Sequence, residues 1–157
     1  MTSRLRTIVE EAASEFSRAD ATRAGTRPAA GKWSAKEIIG HLIDSAANNH
    51  IRFVTGPARD DLVFQGYDQE AWVAVQRYDT ADWHTLVAFW RAYNLHLAHV
   101  IEAIPDGVKN ARRDRHNFDR LALRAVPTSE PSTLGYLMDD YVVHLEHHLA
   151  QVRALLA

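Results

Sequence analysis

The sequence predicts an all-α protein, a four-helix bundle with long connections before its second and fourth helices. Three observations carry that prediction. Four segments repeat apolar residues at i, i+3, i+4 and i+7, the period of a single helix face. These segments are punctuated by capping residues and by Gly- or Pro-containing breaks. Of the 157 residues, 46% are hydrophobic and 24% charged, a balance that suits one packed core in one domain over residues 1–157.

In the first helix Leu5, Ile8, Val9, Ala12, Ala13 and Phe16 share a face, Arg6, Glu10 and Arg18 lie opposite, and Thr2 or Ser3 is available as cap. Residues 23–32 hold Gly25, Pro28 and Gly31 and read as a loop. The second helix opens with Ser34-Ala35-Lys36-Glu37, a capping box, in which the Ser hydroxyl meets a free backbone N–H and Glu37 reaches back to the cap. Trp33 stands before it, placed to staple onto the first turn. Ile38, Ile39, Leu42, Ile43, Ala46, Phe53 and Val54 supply its apolar positions, and Gly56-Pro57 ends it.

Gly66 to Trp72 suggests a turn into a short helix that runs through Val75. The third long helix is expected to start near Asp79-Thr80. Its stripe is Leu86, Phe89, Trp90, Tyr93, Leu97, Val100, Ile101 and Ile104, stopped by Pro105-Asp106-Gly107. Residues 108–130 form an arginine-rich linker without helical period, with an extended run expected at 121–126. The fourth helix is expected to begin at Pro131, a residue suited to a first turn, and carries Leu134, Leu137, Met138, Tyr141, Leu145, Leu149, Val152 and Leu156.

Composition excludes several function classes. There is no cysteine, hence no disulfide, Fe–S cluster or thiol nucleophile. The formal net charge is −2, and the linker arginines are diluted by Asp114 and Asp119 without interleaved aromatics, so no nucleic-acid partner is expected. No stretch is long and apolar enough to span a membrane. Glu10, Glu11 and Glu15 interrupt the place where a signal peptide needs an apolar core, so the expected address is cytoplasmic.

Nine histidines are many for this length. His144 and His148, one helical turn apart, flank the apolar stripe of the last helix, with His147 turned to solvent. Such a pair is a two-point metal grip, although partly exposed helix histidines also fall at this spacing. On the second helix His41, Ser45, Asn48 and Arg52 make a polar strip beside the apolar face. That strip either faces water or joins the histidine pair around one site. Three neutral imidazoles would hold a divalent cation and leave a coordination position open. His84, His99 and His116 read as exposed, His96 at the edge of its stripe as surface or as a group behind the ligands, and His50 as packing or surface.

These residues also form an ordered set of motifs. Trp33-Ser34-x-x-Glu37-x-x-x-His41-Leu42-x-Asp44-Ser45 with Asn49-x-x-Arg52-Phe53, then Gly66 to Trp72, then His144-x-Glu146-His147-His148-Leu149-x-Gln151-Val152 resemble the DinB-like superfamily in order and spacing. The resemblance implies a four-helix bundle that binds a divalent metal through His41, His144 and His148. It points to zinc or nickel, with iron or manganese as further candidates, and to a homodimer. It implies a small-molecule substrate, since better-known relatives are S-transferases or isomerases that use low-molecular-weight thiols.

A cation there would either activate water or hold a thiolate, which makes a metal-dependent transferase or hydrolase the expected class. A non-catalytic metal-binding or dimeric scaffold protein is the alternative. The zinc-protease signature His-Glu-x-x-His is absent, because Leu145 follows His144. Asp44 and Asp140 are candidate acceptors behind the imidazoles. Arg52 and Asn48 are candidates to bind an anionic or polar substrate group, and Tyr67, Trp72 and Tyr141 to wall a pocket. Imidazole ligation predicts metal binding that weakens below about pH 6.

Overall fold

A computed structural model describes residues 1–157. Eight helices occur in chain order: α1 (Thr2–Phe16), α2 (Ala21–Gly25), α3 (Ala35–Thr55), α4 (Gln69–Gln76), α5 (Trp83–Ala103), α6 (Asp106–Lys109), α7 (Phe118–Leu121) and α8 (Leu134–Leu156). The long helices α1, α3, α5 and α8 form the bundle. α5 packs against α1 and α3, and α8 packs against α3 with a lighter contact to α1. Two pairs consecutive along the chain, α1/α3 and α5/α8, therefore sit on diagonals. A diagonal crossing needs more chain than a tight hairpin between neighbours, which suits the long connections before α3 and α8; the connection between the neighbours α3 and α5, residues 56–82, is long as well and carries α4. None of the helices is long and apolar enough to cross a membrane.

The caps decide where helices begin. At α3 the predicted capping box is complete: Glu37 N–H donates to Ser34 Oγ, and the Glu37 carboxylate accepts from the Ser34 backbone N–H at 2.8 Å. The third long helix starts later than expected, because Asp82 caps it, accepting from Thr85 N–H at 2.8 Å, while Tyr78–Thr80 forms a separate 3-10 turn. The last starts at Leu134, capped by Thr133, whereas Pro131 stands before a two-residue strand. Neither Thr2 nor Ser3 caps α1; Met1 occupies that position without a side-chain bond. Part of the expected first loop is helical, as Asp20 caps α2.

The core is one cluster running through all four long helices, with Phe16, Trp83 and Trp90 at its α1/α5 seam and Phe53, Leu42 and Leu145 nearer α8. Val54 and Phe89, expected inside, are 56% and 53% exposed. They stand at the rim of their stripes, where the neighbouring helix no longer covers them.

The arginine-rich linker is folded. Arg112–Arg113 pairs antiparallel with Ser132–Thr133, which closes the linker into a loop. Inside it lies α7, which ends at Leu121 where an extended run was expected to begin, and residues 122–126 form no strand. His116, expected to be exposed, is 5% exposed. Its Nε2 donates to the Glu130 carbonyl at 2.7 Å and its Nδ1 accepts from Phe118 N–H at 3.1 Å. With both ring nitrogens satisfied by backbone, the imidazole can be buried at little cost. Several linker arginines are held in ion pairs, Arg115 with Asp61 and Arg124 with Asp139 and Asp140.

Candidate metal centre

His41, on the second turn of α3, is fully buried, and His144 and His148 on α8 are half-buried. One ring nitrogen from each lies within 4.8 Å of the others. His41 Nε2 and His144 Nε2 face each other at 3.4 Å, and the His148 ring centroid is 4.8 Å from that of His41. Residues more than a hundred positions apart thus converge because α3 and α8 are direct neighbours. Trp33, expected to staple the start of α3, packs on the His41 ring at 5.2 Å.

The three rings are poised as ligands. Burial lowers His41 to about 4, with His148 adding to the effect, and lowers His144 to about 3, with His148, His41 and His147 adding. His148 is also lowered by burial, against a hydrogen bond from its ring to Gln151 that works the other way. All three present lone pairs at neutral pH. At His148 the tautomer follows from that bond. Gln151 Oε1 can only accept, so Nδ1 carries the proton and Nε2 is left for a metal, the usual role of a residue behind a ligand. His41 and His144 have no hydrogen-bond partner apart from each other, and the Nδ1 atoms of both are buried and unpaired. Buried polar rings left this way are costly. A cation shared by three imidazoles would account for two Nε2 atoms turned toward each other at 3.4 Å, though not for the Nδ1 atoms behind them, so the donor set fits a divalent metal ion.

The cluster opens onto a cavity of about 340 Å³. His144, His147 and His148 line one part of it, Ser45, Asn49 and Arg52 of α3 another, and residues 120–123 of the folded linker close it. That last wall is anchored by Asp140, whose carboxylate accepts from the Leu123 and Arg124 N–H groups at 2.8 and 2.9 Å and from Arg124 Nε at 3.1 Å. Asp140 therefore holds the linker and does not back His144, as the sequence had suggested. Asp44 does not back an imidazole either. It accepts from Tyr78 OH at 2.7 Å and Gln76 Nε2 at 2.8 Å, and burial raises its pKa against those two bonds.

Arg52 lines the cavity as expected, and Asn48 does not. The Asn48 amide donates back to the Asp44 carbonyl at 2.9 Å, and its neighbour Asn49 takes the place in the wall. Tyr67 and Tyr141 are wall residues. Trp72 packs behind Tyr67, ring centroids 4.9 Å apart, outside the cavity lining. His147 is exposed as expected and accepts from Gln151 Nε2 at 3.2 Å, so one glutamine orients two histidines. Asn49 and Gln151 stood in the sequence as motif positions without a role, and residues 120–123 had no place in the expected site. Gln151 had a legible signal, since it follows His148 by three residues on the same helix; the linker wall had none.

Fold and site together define a helical-bundle protein with a three-histidine metal-binding site. The chain belongs to the DinB superfamily, whose sequence profile matches residues 2–152. Among curated relatives it is similar to YfiT of Bacillus subtilis strain 168, 26% identical over 125 residues that make up 80% of this chain and 65% of the relative. It is also similar to OB0782 of Oceanobacillus iheyensis, 27% identical over 80% of this chain and 66% of the relative. Both names assign metal-dependent hydrolysis provisionally. The match spans slightly less than two thirds of either relative's length. The solved structure of YfiT from Bacillus subtilis, described as having an unusual four-helix bundle topology, superposes with a TM-score of 0.74 at 22% identity, covering 98% of this chain and 85% of that one.

Proposed function

We propose that the chain is a metal-dependent enzyme that acts on a small molecule at His41, His144 and His148, with zinc or nickel as the resident cation. The observation that carries this reading is the cavity: two of the three imidazoles, His144 and His148, border open space while His41 is buried behind them, whereas a structural site is closed on all sides. When bound, a divalent cation supplies Lewis acidity, lowering the pKa of a coordinated water or thiol. The chain's own residues do the rest. Gln151 keeps the His148 proton on Nδ1, Asp140 holds the linker wall over the site, and Tyr67 stays a neutral phenol because burial pushes it up to about 12, with Asp44 adding and Arg52 opposing.

Hydrolysis is the reaction the relatives' names support. A second reading, transfer to a low-molecular-weight thiol, is favoured by one observation: no free base lines the cavity. The Asp140 carboxylate is committed to Leu123 and Arg124, and the His147 Nε2 lone pair to Gln151. Hydrolysis needs a group to take a proton from water, whereas a thiol that already ionises near neutrality does not. The two are separated by assaying a panel of esters and amides, and an electrophile with and without a small thiol, before and after dialysis against a chelator. The proposal expects one of the two activities, lost on chelation and restored by zinc or nickel. Activity that survives complete metal removal would overturn it.

A further inference from the structure

Arg52 is a buried cation without a counter-ion. It is 6% exposed, yet its guanidinium makes no ion pair. Its hydrogen bonds are to neutral groups, Nη1 to Asn49 Oδ1 at 3.3 Å and Nη2 to the Gln65 carbonyl at 3.0 Å. Nε and the remaining N–H donors have no partner within the chain. The ionisable group that bears on it is the Tyr67 phenol, which is neutral at physiological pH. Buried charges are ordinarily paired, because an unpaired one loses its hydration without replacement.

The side chain lies in the wall of the cavity that also reaches the histidines. The other charges in that wall do not supply the missing anion. Asp140 is matched by Arg124, and Arg120 adds a second cation, weakly paired with Asp119 at 3.6 Å. Ser45, Asn49 and Tyr67 add neutral polar groups beside Arg52. Along α3 about 16 Å of helix rise separates the backbone positions of His41 and Arg52, so Arg52 meets a part of the guest away from the histidines.

We infer that the substrate is an organic anion, whose carboxylate or phosphate is held by Arg52 while its reacting group lies at the three histidines. The inference rests on the proposed metal-dependent activity for the second half of that sentence only. The anion subsite is a property of Arg52 and the cavity, and it exists without metal. A guanidinium fork with free donors suits both oxyanions, and a neutral isostere offers it a single amide oxygen and no charge. Arg52 also ties the segment before α4 to α3 through Gln65, and that structural role uses one donor and leaves the charge unmatched.

The test uses metal-free protein and two probes, butyrate and inorganic phosphate, with butyramide as neutral control. Titration is followed by the nitrogen-15 signal of Arg52 Nε–H and by calorimetry. The expected result is saturable binding of at least one anion, a shift of the Arg52 signal, and no response to butyramide. The anion that binds tells carboxylate from phosphate. Arg52→Gln should weaken binding about ten- to a hundredfold, the usual loss for a charged hydrogen bond, and Arg120→Gln by much less. The wild-type Nε–H signal answers the question even if the Arg52 variant does not fold. No shift of that signal at saturating anion, equal response to butyramide, or a dominant effect of Arg120→Gln would overturn the inference. Metal content, measured separately on the native protein, reports on the metal-dependent reading alone.

Discussion

At His41 and His144, burial moves the imidazole pKa to about 4 and about 3, from an ordinary value near 6.5. Between those values the unfolded chain binds protons that the folded chain refuses, so stability rises with pH through this window and falls as the solution is acidified. Each histidine contributes a slope of about 1.4 kcal/mol per pH unit there. Metal-free protein should therefore melt at progressively lower temperature from about pH 6.5 down to about pH 4, and His144→Phe should flatten that dependence. A melting temperature indifferent to pH over that range would contradict the buried neutral rings. The same burial carries proton competition with metal at His41 and His144 below the pH 6 expected of ordinary imidazoles. His144 and His148 were legible in the sequence because i, i+4 spacing on one helix is a local property, whereas His41 joined them only through the likeness to the DinB-like superfamily. The choice between Asn48 and Asn49 was not legible, since both amides donate back one turn to a backbone carbonyl at 2.9 Å and only the packed structure shows that Asn49, between Ser45 and Arg52, is the one in the wall. His116 was misread for a related reason: what buries it is a linker without periodicity.

Among the elements, α3 was the most legible, its start written in the Ser34–Glu37 box and its end in Gly56-Pro57. The starts of α5 and α8 were displaced by a few residues, because several Asp, Thr and Pro residues could each serve and tertiary packing selects Asp82 and Thr133. One contact on α3 had no sequence signal. Gly40 lies directly beneath the Tyr78 ring, where a Cβ would come within 2.1 Å of it. The missing side chain lets the ring lie flat on the helix and brings Tyr78 OH to Asp44. Gly40→Ala should therefore displace Tyr78 and destabilise the protein by about 1–3 kcal/mol, the usual cost of overpacking, despite alanine's better helix propensity. Denaturant unfolding of the variant checks this, and unchanged or increased stability would show that the Tyr78 ring is free to move.

For the whole molecule, the diagonal placement of α1/α3 and α5/α8 calls for long connections before α3 and α8, while residues 56–82 join neighbours and carry α4 and the Tyr67 wall of the cavity. The connection after α5 is put to use as the wall over the cavity, pinned by Asp140 and by the strand pair. The bundle itself was legible from four apolar stripes. The order of neighbours around it was not, because a stripe states that a face is buried and does not name what buries it. The adjacency of α3 and α8 brings His41 to His144 and His148, and the account rests on that meeting. The most direct test is metal content of freshly purified protein by elemental analysis, for the wild type and for His41→Ala, His144→Ala, His148→Ala and His147→Ala, each confirmed folded by circular dichroism. Stoichiometric divalent metal in the wild type and in His147→Ala, with loss in the other three, is the predicted result. Metal retained in His41→Ala, or missing from the wild type after reconstitution with zinc or nickel, would contradict it.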